Sequence, residues 1–342
     1  YNQLRLDRSA YPFSLFLYHS SLDKGIEPDT YVMVRAWYGV VQAGQQAGYA
    51  LDKLAELGKD QYPKAPECIA RDRYVDDILP GADSVGEVDD QINQVRGLLA
   101  TAGFSLKYVV KSGEAPDESS SSDGVSLKML GYKWATVEDT LHPGITELNV
   151  NKKSRGKRKP NEEPIITEDD ARRTLKDASI TRRTIISKIA ELFDPIGIWE
   201  PMKLQLKLHS ARLNNIPWDQ KLSPEEENFW KIKLIQFVRF HELSAKRCII
   251  PADSDSTSGI RLICFSDAGT APGGAVVYAG RKLHDGSWSC HLLSSRSKMM
   301  LATVPRNELS AIMLMAELAF IIKKSLGTRI ERILYLTDST IA

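Results

Sequence analysis

The sequence predicts a multidomain chain of mixed α/β and α+β class. Three observations support this. Its 342 residues exceed what one compact domain usually needs. Helix-periodic segments with capping residues alternate with short apolar runs that suit buried strands. A polar stretch, Asp253 to Ser258, separates a helix-rich region from an apolar run that ends in a carboxylate. Hydrophobic residues at 42% and charged residues at 26% are ordinary globular usage, which excludes a disordered or low-complexity chain.

The elements follow in order. Ala47, Leu51, Leu54 and Leu57 recur at helical spacing, and Gly58 suits the left-handed position after a helix. After a turn-rich stretch with Pro63 and Pro66, Cys68 to Leu79 places apolar residues on both sides of Asp76-Asp77. Pro80-Gly81 follows, predicting a β-hairpin with both carboxylates at its tip. Ser84 and Glu87 form a capping box for a helix whose Val88, Ile92, Val95 and Leu99 share one face and which Gly103 ends. Phe104 to Val110 suits a strand, Ser112 to Asp123 a solvated loop, and Leu127 to Trp134 a short strand.

Between Asn151 and Pro160, six of ten residues are basic: Lys152, Lys153, Arg155, Lys157, Arg158 and Lys159. With a net charge of only +1, attraction to phosphate must come from such a local patch. A solvated linker or a targeting tag accounts for the run equally well. Helices come next. Thr181 precedes Ile185, Ile186, Ile189 and Phe193, with a stop before Pro195, and Ser223-Pro224-Glu225-Glu226 caps a helix reaching about His241.

Beyond the polar linker, Ile260 to Phe265 reads as a buried strand leading into Ser266-Asp267-Ala268-Gly269. Ala275 to Tyr278 and Trp288 to Leu293 suit two further strands. A helix from Pro305 is apolar around most of its circumference, predicting burial. Glu308 shares a face with Ile312 and Met315, where a carboxylate needs a cation or hydrogen bonds to offset its desolvation. Placement in the first turn of a helix is the plainer explanation. Ile330 to Leu336 is a strand, and Asp338 follows its end as Asp267 follows the first.

Several classes are excluded. Leu309 to Ile322, the longest apolar stretch, is interrupted by Ser310 and Glu317 and is shorter than the ~20 residues of a spanning helix. The four cysteines form no CxxC pair and the six histidines no zinc spacing, which fits a reducing compartment and argues against zinc. The chain opens at Tyr1 without methionine and closes on Thr337 to Ala342 without a cap, so a fragment of a longer polypeptide is expected.

Two sets of carboxylates suit divalent-metal chemistry on phosphodiesters, where paired magnesium ions bind oxygen ligands and stabilise attacking and leaving oxygens. Asp76 and Asp77 are adjacent and require a further carboxylate. Asp267, Glu308 and Asp338 come from strand, helix and strand, and converge only if the two strands are neighbours. Taken singly, an Asp-Asp turn is ordinary turn chemistry.

Tyr74-Val75-Asp76-Asp77 resembles the YxDD motif of reverse transcriptases, and the later set resembles ribonuclease H, in the order those enzymes use. Tyr74 to Asp83 (YVDDILPGAD), Leu192 to Pro201 (LFDPIGIWEP) and Thr303 to Leu309 (TVPRNEL) narrow the resemblance to BEL/Pao-type retrotransposon polyproteins, with coverage essentially end to end. The resemblance implies a partial reverse-transcriptase fingers and palm region over 1–135. It further implies a helical thumb and connection with the basic linker over 136–250, and a C-terminally incomplete ribonuclease H-like domain over 251–342. It implies RNA-directed DNA polymerase and ribonuclease H activities, magnesium or manganese as cofactor, and template-primer, RNA–DNA hybrid and dNTPs as partners beside other polyprotein domains. Residence in cytoplasmic retroelement particles or the nucleus, away from membranes, would follow.

By the same resemblance, Asp76 and Asp77 are polymerase metal ligands whose third partner precedes Tyr1, and Tyr1 is the aromatic gate against a ribose 2′-OH. Trp37-Tyr38-Gly39 begins the nucleotide-contacting motif, with Ala43-Gly44 where a Ser-Pro pair is common. Lys107 is a proton donor to the leaving pyrophosphate, and Gly131-Tyr132-Lys133-Trp134 matches the primer grip. Asp267, Glu308 and Asp338 are nuclease ligands, the fourth lying after Ala342. Three other readings compete: an aspartic peptidase built on Asp267-Ala268-Gly269, a non-catalytic nucleic-acid-binding remnant, and carboxylates that merely cap turns.

Overall fold

The computed structural model describes residues 2–19, 25, 27–37, 39–117, 126–143, 167–192 and 194–340. The chain divides into two compact units, Tyr1–Val109 and Val110–Ala342.

The first unit begins with a 3₁₀ turn, Arg8–Phe13, capped by the Asp7 side chain. An antiparallel ribbon follows, β1 (Leu15–Tyr18) and β2 (Asp29–Val32), with Phe16 stacked on Tyr31. Then come α1 (Ala43–Gly58), α2 (Ala65–Arg71), β3 (Arg73–Tyr74), β4 (Asp77–Ile78) and α3 (Val85–Thr101). The three helices enclose Ala55, Ala65, Cys68, Ile69, Val95, Leu98 and Leu99. Ser84 caps α3 by accepting from the Glu87 N–H, and Gly103 follows it at φ +74°, both as the sequence implies.

Three local expectations are corrected here. Gly58 is the last residue of α1 and not a left-handed cap: a Cβ there would lie 2.2 Å from Leu98 Cδ1, so its smallness lets α1 approach α3. Cys68–Arg71 is helical, since the i, i+3, i+4 spacing of Ala65, Cys68 and Ile69 buries one face of α2. Phe104 to Val110 forms no strand; Phe104 and Leu106 pack as single side chains against the helical core.

The second unit contains β5 (Ser126–Met129), β6 (Tyr132–Ala135), β7 (Thr140–Pro143), α4 (Glu168–Lys176), α5 (Arg182–Glu191), α6 (Glu200–Ala211), α7 (Pro224–Gln236), a 3₁₀ turn Phe237–Glu242 and β8 (Ala245–Lys246). These lead to β9 (Ile260–Ala268), β10 (Pro272–Lys282), β11 (Trp288–Met299), α8 (Val304–Leu326) and β12 (Ile330–Thr337). The single strand expected at Leu127 to Trp134 is a hairpin. Leu130 and Gly131, at φ +49° and +86°, turn between β5 and β6, where a two-residue turn demands positive φ at both positions. One antiparallel sheet has the order β5-β6-β7-β8. Arg247, just after β8, ties that edge strand to the β6–β7 turn: its guanidinium donates to Asp139, which also accepts from Trp134 Nε1 at 2.9 Å.

Helices α4 to α7 bury Ile180, Ile185, Trp199, Leu213, Trp230 and Leu234. Thr181 and Ser223 supply the expected N-caps of α5 and α7. The loop after α5 is organised by Asp194, whose carboxylate accepts from Tyr132 Oη and from the N–H groups of Gly197, Ile198 and Trp199 at 2.7–3.0 Å. Gly197 (φ +87°) lies against β11, and a Cβ there would meet the Ser295 carbonyl at 2.1 Å.

The last sheet has the order β11-β10-β9-β12, with β10 antiparallel to both neighbours and β12 parallel to β9. Strand β9 alternates buried and more exposed residues, and Ile260, Leu262 and Cys264 face Met315, Leu318 and Ala319 of α8. The burial that its composition predicts for α8 is found on one face only. Leu309, Met313, Phe320 and Ile321 are exposed, because among the described residues only one face of the helix meets the sheet.

Candidate metal centre

The parallel pairing of β9 and β12 decides where the carboxylates go. Thr337 is in register with Ser266, so Asp338, the residue after β12, comes beside Asp267, which is still paired with Gly274 in β9, on strands about 4.8 Å apart. Glu308 comes to the same place from α8. It heads the stripe Ala311, Met315, Leu318 and Ala319 that packs on the sheet, and is itself only 9% exposed. The three side chains each offer an oxygen within 4.8 Å of the others, with Asp267 and Asp338 open to solvent and Glu308 buried. This is the only such group of three or more His, Cys, Asp or Glu among the described residues.

The donor set fits a hard divalent cation. Glu308 Oε2 is buried and has no hydrogen-bond partner among the described residues, an arrangement that is costly unless a cation meets it. Three carboxylates this close also repel one another unless positive charge intervenes. Oxygen-only ligation is the kind that hard divalent cations take.

The other predicted residues are placed differently. Val75 and Asp76 form the turn between β3 and β4, Val75 at φ +56°, while Asp77 pairs with Tyr74 inside the ribbon, so only one carboxylate sits at the tip. Partial desolvation, then the neighbouring charge of Asp76, hold the Asp77 carboxyl above its usual range. Tyr74 is exposed. Gly39 has φ +92° with open space around it, and Lys107 lies in irregular chain beside the Tyr108 ring.

Gly131 is exposed at its hairpin turn, whereas Tyr132 and Trp134 are buried and bonded to Asp194 and Asp139 respectively. Tyr1, Tyr38 and the basic residues Lys152, Lys153, Arg155, Lys157, Arg158 and Lys159 lie outside the described residues. Two organising residues escaped the sequence reading, Asp194 and Asn307. The Asp-Pro-x-Gly turn around the first, and a polar residue beside Glu308 in an apolar helix, were the available signals.

Residues 181–339 match the family model for the Pao retrotransposon-like RNaseH-like domain. By this match the stretch is similar to a retrotransposon reverse transcriptase and ribonuclease H region. All three converging carboxylates lie inside it, and the match begins at α5, well before the sheet. Two solved structures share the fold of the whole chain, both titled foamy viral protease-reverse transcriptase, one in complex with dsDNA and one a dRH form in complex with ds DNA. Each has a TM-score of 0.51 and 13% identity over 99% of this chain. The chain spans 55% of the dRH structure's chain and 65% of the other. No curated protein matches it. Among the described residues, no helix is long and apolar enough to cross a membrane.

Proposed function

We propose that the chain is the reverse transcriptase and ribonuclease H part of a retrotransposon polyprotein, and that its Asp267, Glu308 and Asp338 hydrolyse the RNA strand of an RNA–DNA hybrid. The observation that carries this reading is the convergence of the three carboxylates around a buried, unpartnered Glu308 oxygen. These residues would hold magnesium or manganese, and such ions, when bound, stabilise the charge that develops on the attacking and leaving oxygens of a phosphodiester. The chain's own contribution is rigidity: two strand ends and one helix present oxygens already gathered, so little reorganisation accompanies reaction. The foamy viral structures of like fold, solved with duplex DNA, support nucleic acid as the ligand class.

Polymerase function belongs to the same proposal. Asp76 and Asp77 supply two carboxylates, and among the described residues no third His, Cys, Asp or Glu joins them in a metal-holding group. Residues 1–135 are assigned to fingers and palm, 136–250 to thumb and connection, and 251–342 to the nuclease. Tyr1, Tyr38, Gly39, Tyr74, Lys107, Gly131 and Trp134 are assigned to nucleotide and primer, and Lys152, Lys153, Arg155, Lys157, Arg158 and Lys159 to backbone phosphates.

Strand-specific cleavage of an end-labelled hybrid in magnesium tests the nuclease assignment. Asp267→Asn should abolish cleavage while Asp76→Asn leaves it unchanged. Cleavage surviving Asp267→Asn refutes the assignment, and a native chain that binds hybrid without cutting it marks a binding remnant.

A further inference from the structure

Asn307 precedes Glu308 in α8 and is 1% exposed. A buried amide must satisfy both its donors and its acceptor. Asn307 Nδ2 donates to the Gly269 carbonyl at 2.9 Å, with longer contacts to the Thr270 and Met300 carbonyls at 3.4 and 3.5 Å. Its Oδ1 accepts from the Ala302 N–H at 3.2 Å.

One side chain therefore ties together the loop two residues beyond Asp267, the end of β11 and the entry to α8. Met300 also donates its N–H to the Ala271 carbonyl at 2.6 Å, and Gly269 donates to Pro272 at 2.8 Å, so the loop held by Asn307 is itself closed. The rest of α8 meets the sheet through apolar side chains, which resist separation but carry little directional information. The directional bonds lie at the turn of α8 that carries Glu308.

We propose that Asn307 is a positioning residue for the metal centre: by clamping the start of α8 to the loop after β9, it holds Glu308 at the spacing from Asp267 that a divalent cation requires. The inference rests on the nuclease reading of the triad. Hydrogen-bonded supports of metal ligands commonly govern affinity by about 10- to 100-fold.

The test is Mn²⁺ affinity of the full chain, read by water-proton relaxation without substrate. Asn307→Ala should weaken binding about 10- to 100-fold. Leu318→Ala, a truncation in the same helix and core but away from the clamp, should leave affinity within about twofold. Amide exchange at Ala302 should accelerate in the Asn307 variant alone. If Asn307→Ala does not fold, Asn307→Ser, which keeps one short donor, is read in its place and should bind Mn²⁺ more weakly than the native chain. Native-like affinity in the folded Asn307 variant overturns the proposal and leaves the nuclease reading standing. Equal weakening by Leu318→Ala overturns it as well. A native chain that binds no Mn²⁺ overturns both.

Discussion

Asp194→Asn exchanges one oxygen for an amino group at almost constant volume and so isolates a single electrostatic change. In the native loop one carboxylate serves four donors: Tyr132 Oη at 2.8 Å, Gly197 N at 3.0 Å and Ile198 N at 3.0 Å on Oδ1, and Trp199 N at 2.7 Å on Oδ2. An asparagine keeping the Oδ1 contacts turns its amino group toward the Trp199 N–H, leaving donor against donor. Loss of one charge-assisted bond and stranding of a buried donor cost about 2–3 kcal/mol. At about 1.4 kcal/mol per decade this is roughly a 30- to 140-fold change in a local opening constant. Amide hydrogen exchange at Trp199 reads it directly. Tyr132→Phe should cost less, about 1–2 kcal/mol, because the three backbone donors to Asp194 remain, although the Ile196 N–H loses the phenol oxygen at 2.8 Å. Protection at Trp199 unchanged within about threefold in Asp194→Asn would refute the reasoning.

Three further outcomes are expected. Gly197→Ala places a side chain at φ +87° and 2.1 Å from the Ser295 carbonyl, which breaks the Ser295 N–H bond to Ile196 at 2.7 Å; denaturant titration should show a loss of about 3 kcal/mol or more, and a loss under 1 would contradict the close approach. Burial pushes the Cys264 thiol up from 9.0 to about 11, so the unfolded chain releases that proton first and the thiol's contribution, whole below pH 9, is lost as pH rises toward 11; Cys264→Ala should flatten that part of the stability profile, and an unchanged profile counts against it. Neutralising all six basic residues from Lys152 to Lys159 should lower the log–log salt slope of hybrid binding by up to about 5, whereas an unchanged slope removes phosphate contact from their assignment.

Caps made much of the fold legible. Ser84, Thr181 and Ser223 each accept a backbone N–H at the start of the helix they announce, because that bond is local to a few residues. Strand readings failed where the deciding partner was distant or the spacing ambiguous. Phe104 to Val110 is apolar enough for a strand, yet its side chains fill a helical core, and Cys68 to Arg71 fits two periods equally well. Gly131 within Leu127–Trp134 marked a hairpin turn that the missing Asn-Gly chemistry obscured.

The convergence of the three carboxylates was legible because Asp267 lies near the end of β9 and Asp338 just past β12: once β12 lies parallel to β9, Asp338 comes beside Asp267. Asp194 and Asn307 were not, since their work is to satisfy backbone groups of loops whose paths the sequence does not specify.

The central claim, that Asp267, Glu308 and Asp338 form a metal-dependent hybrid nuclease, is tested most directly by Glu308→Gln. The single-turnover experiment uses a hybrid labelled on both strands, across a magnesium titration. The account predicts that the native chain cuts the RNA strand only, with a saturable magnesium dependence. The variant, lacking the buried charge, should lose cutting at every magnesium concentration while still binding the hybrid. Equal cutting by Glu308→Gln, or native cutting that persists in excess chelator, would contradict it.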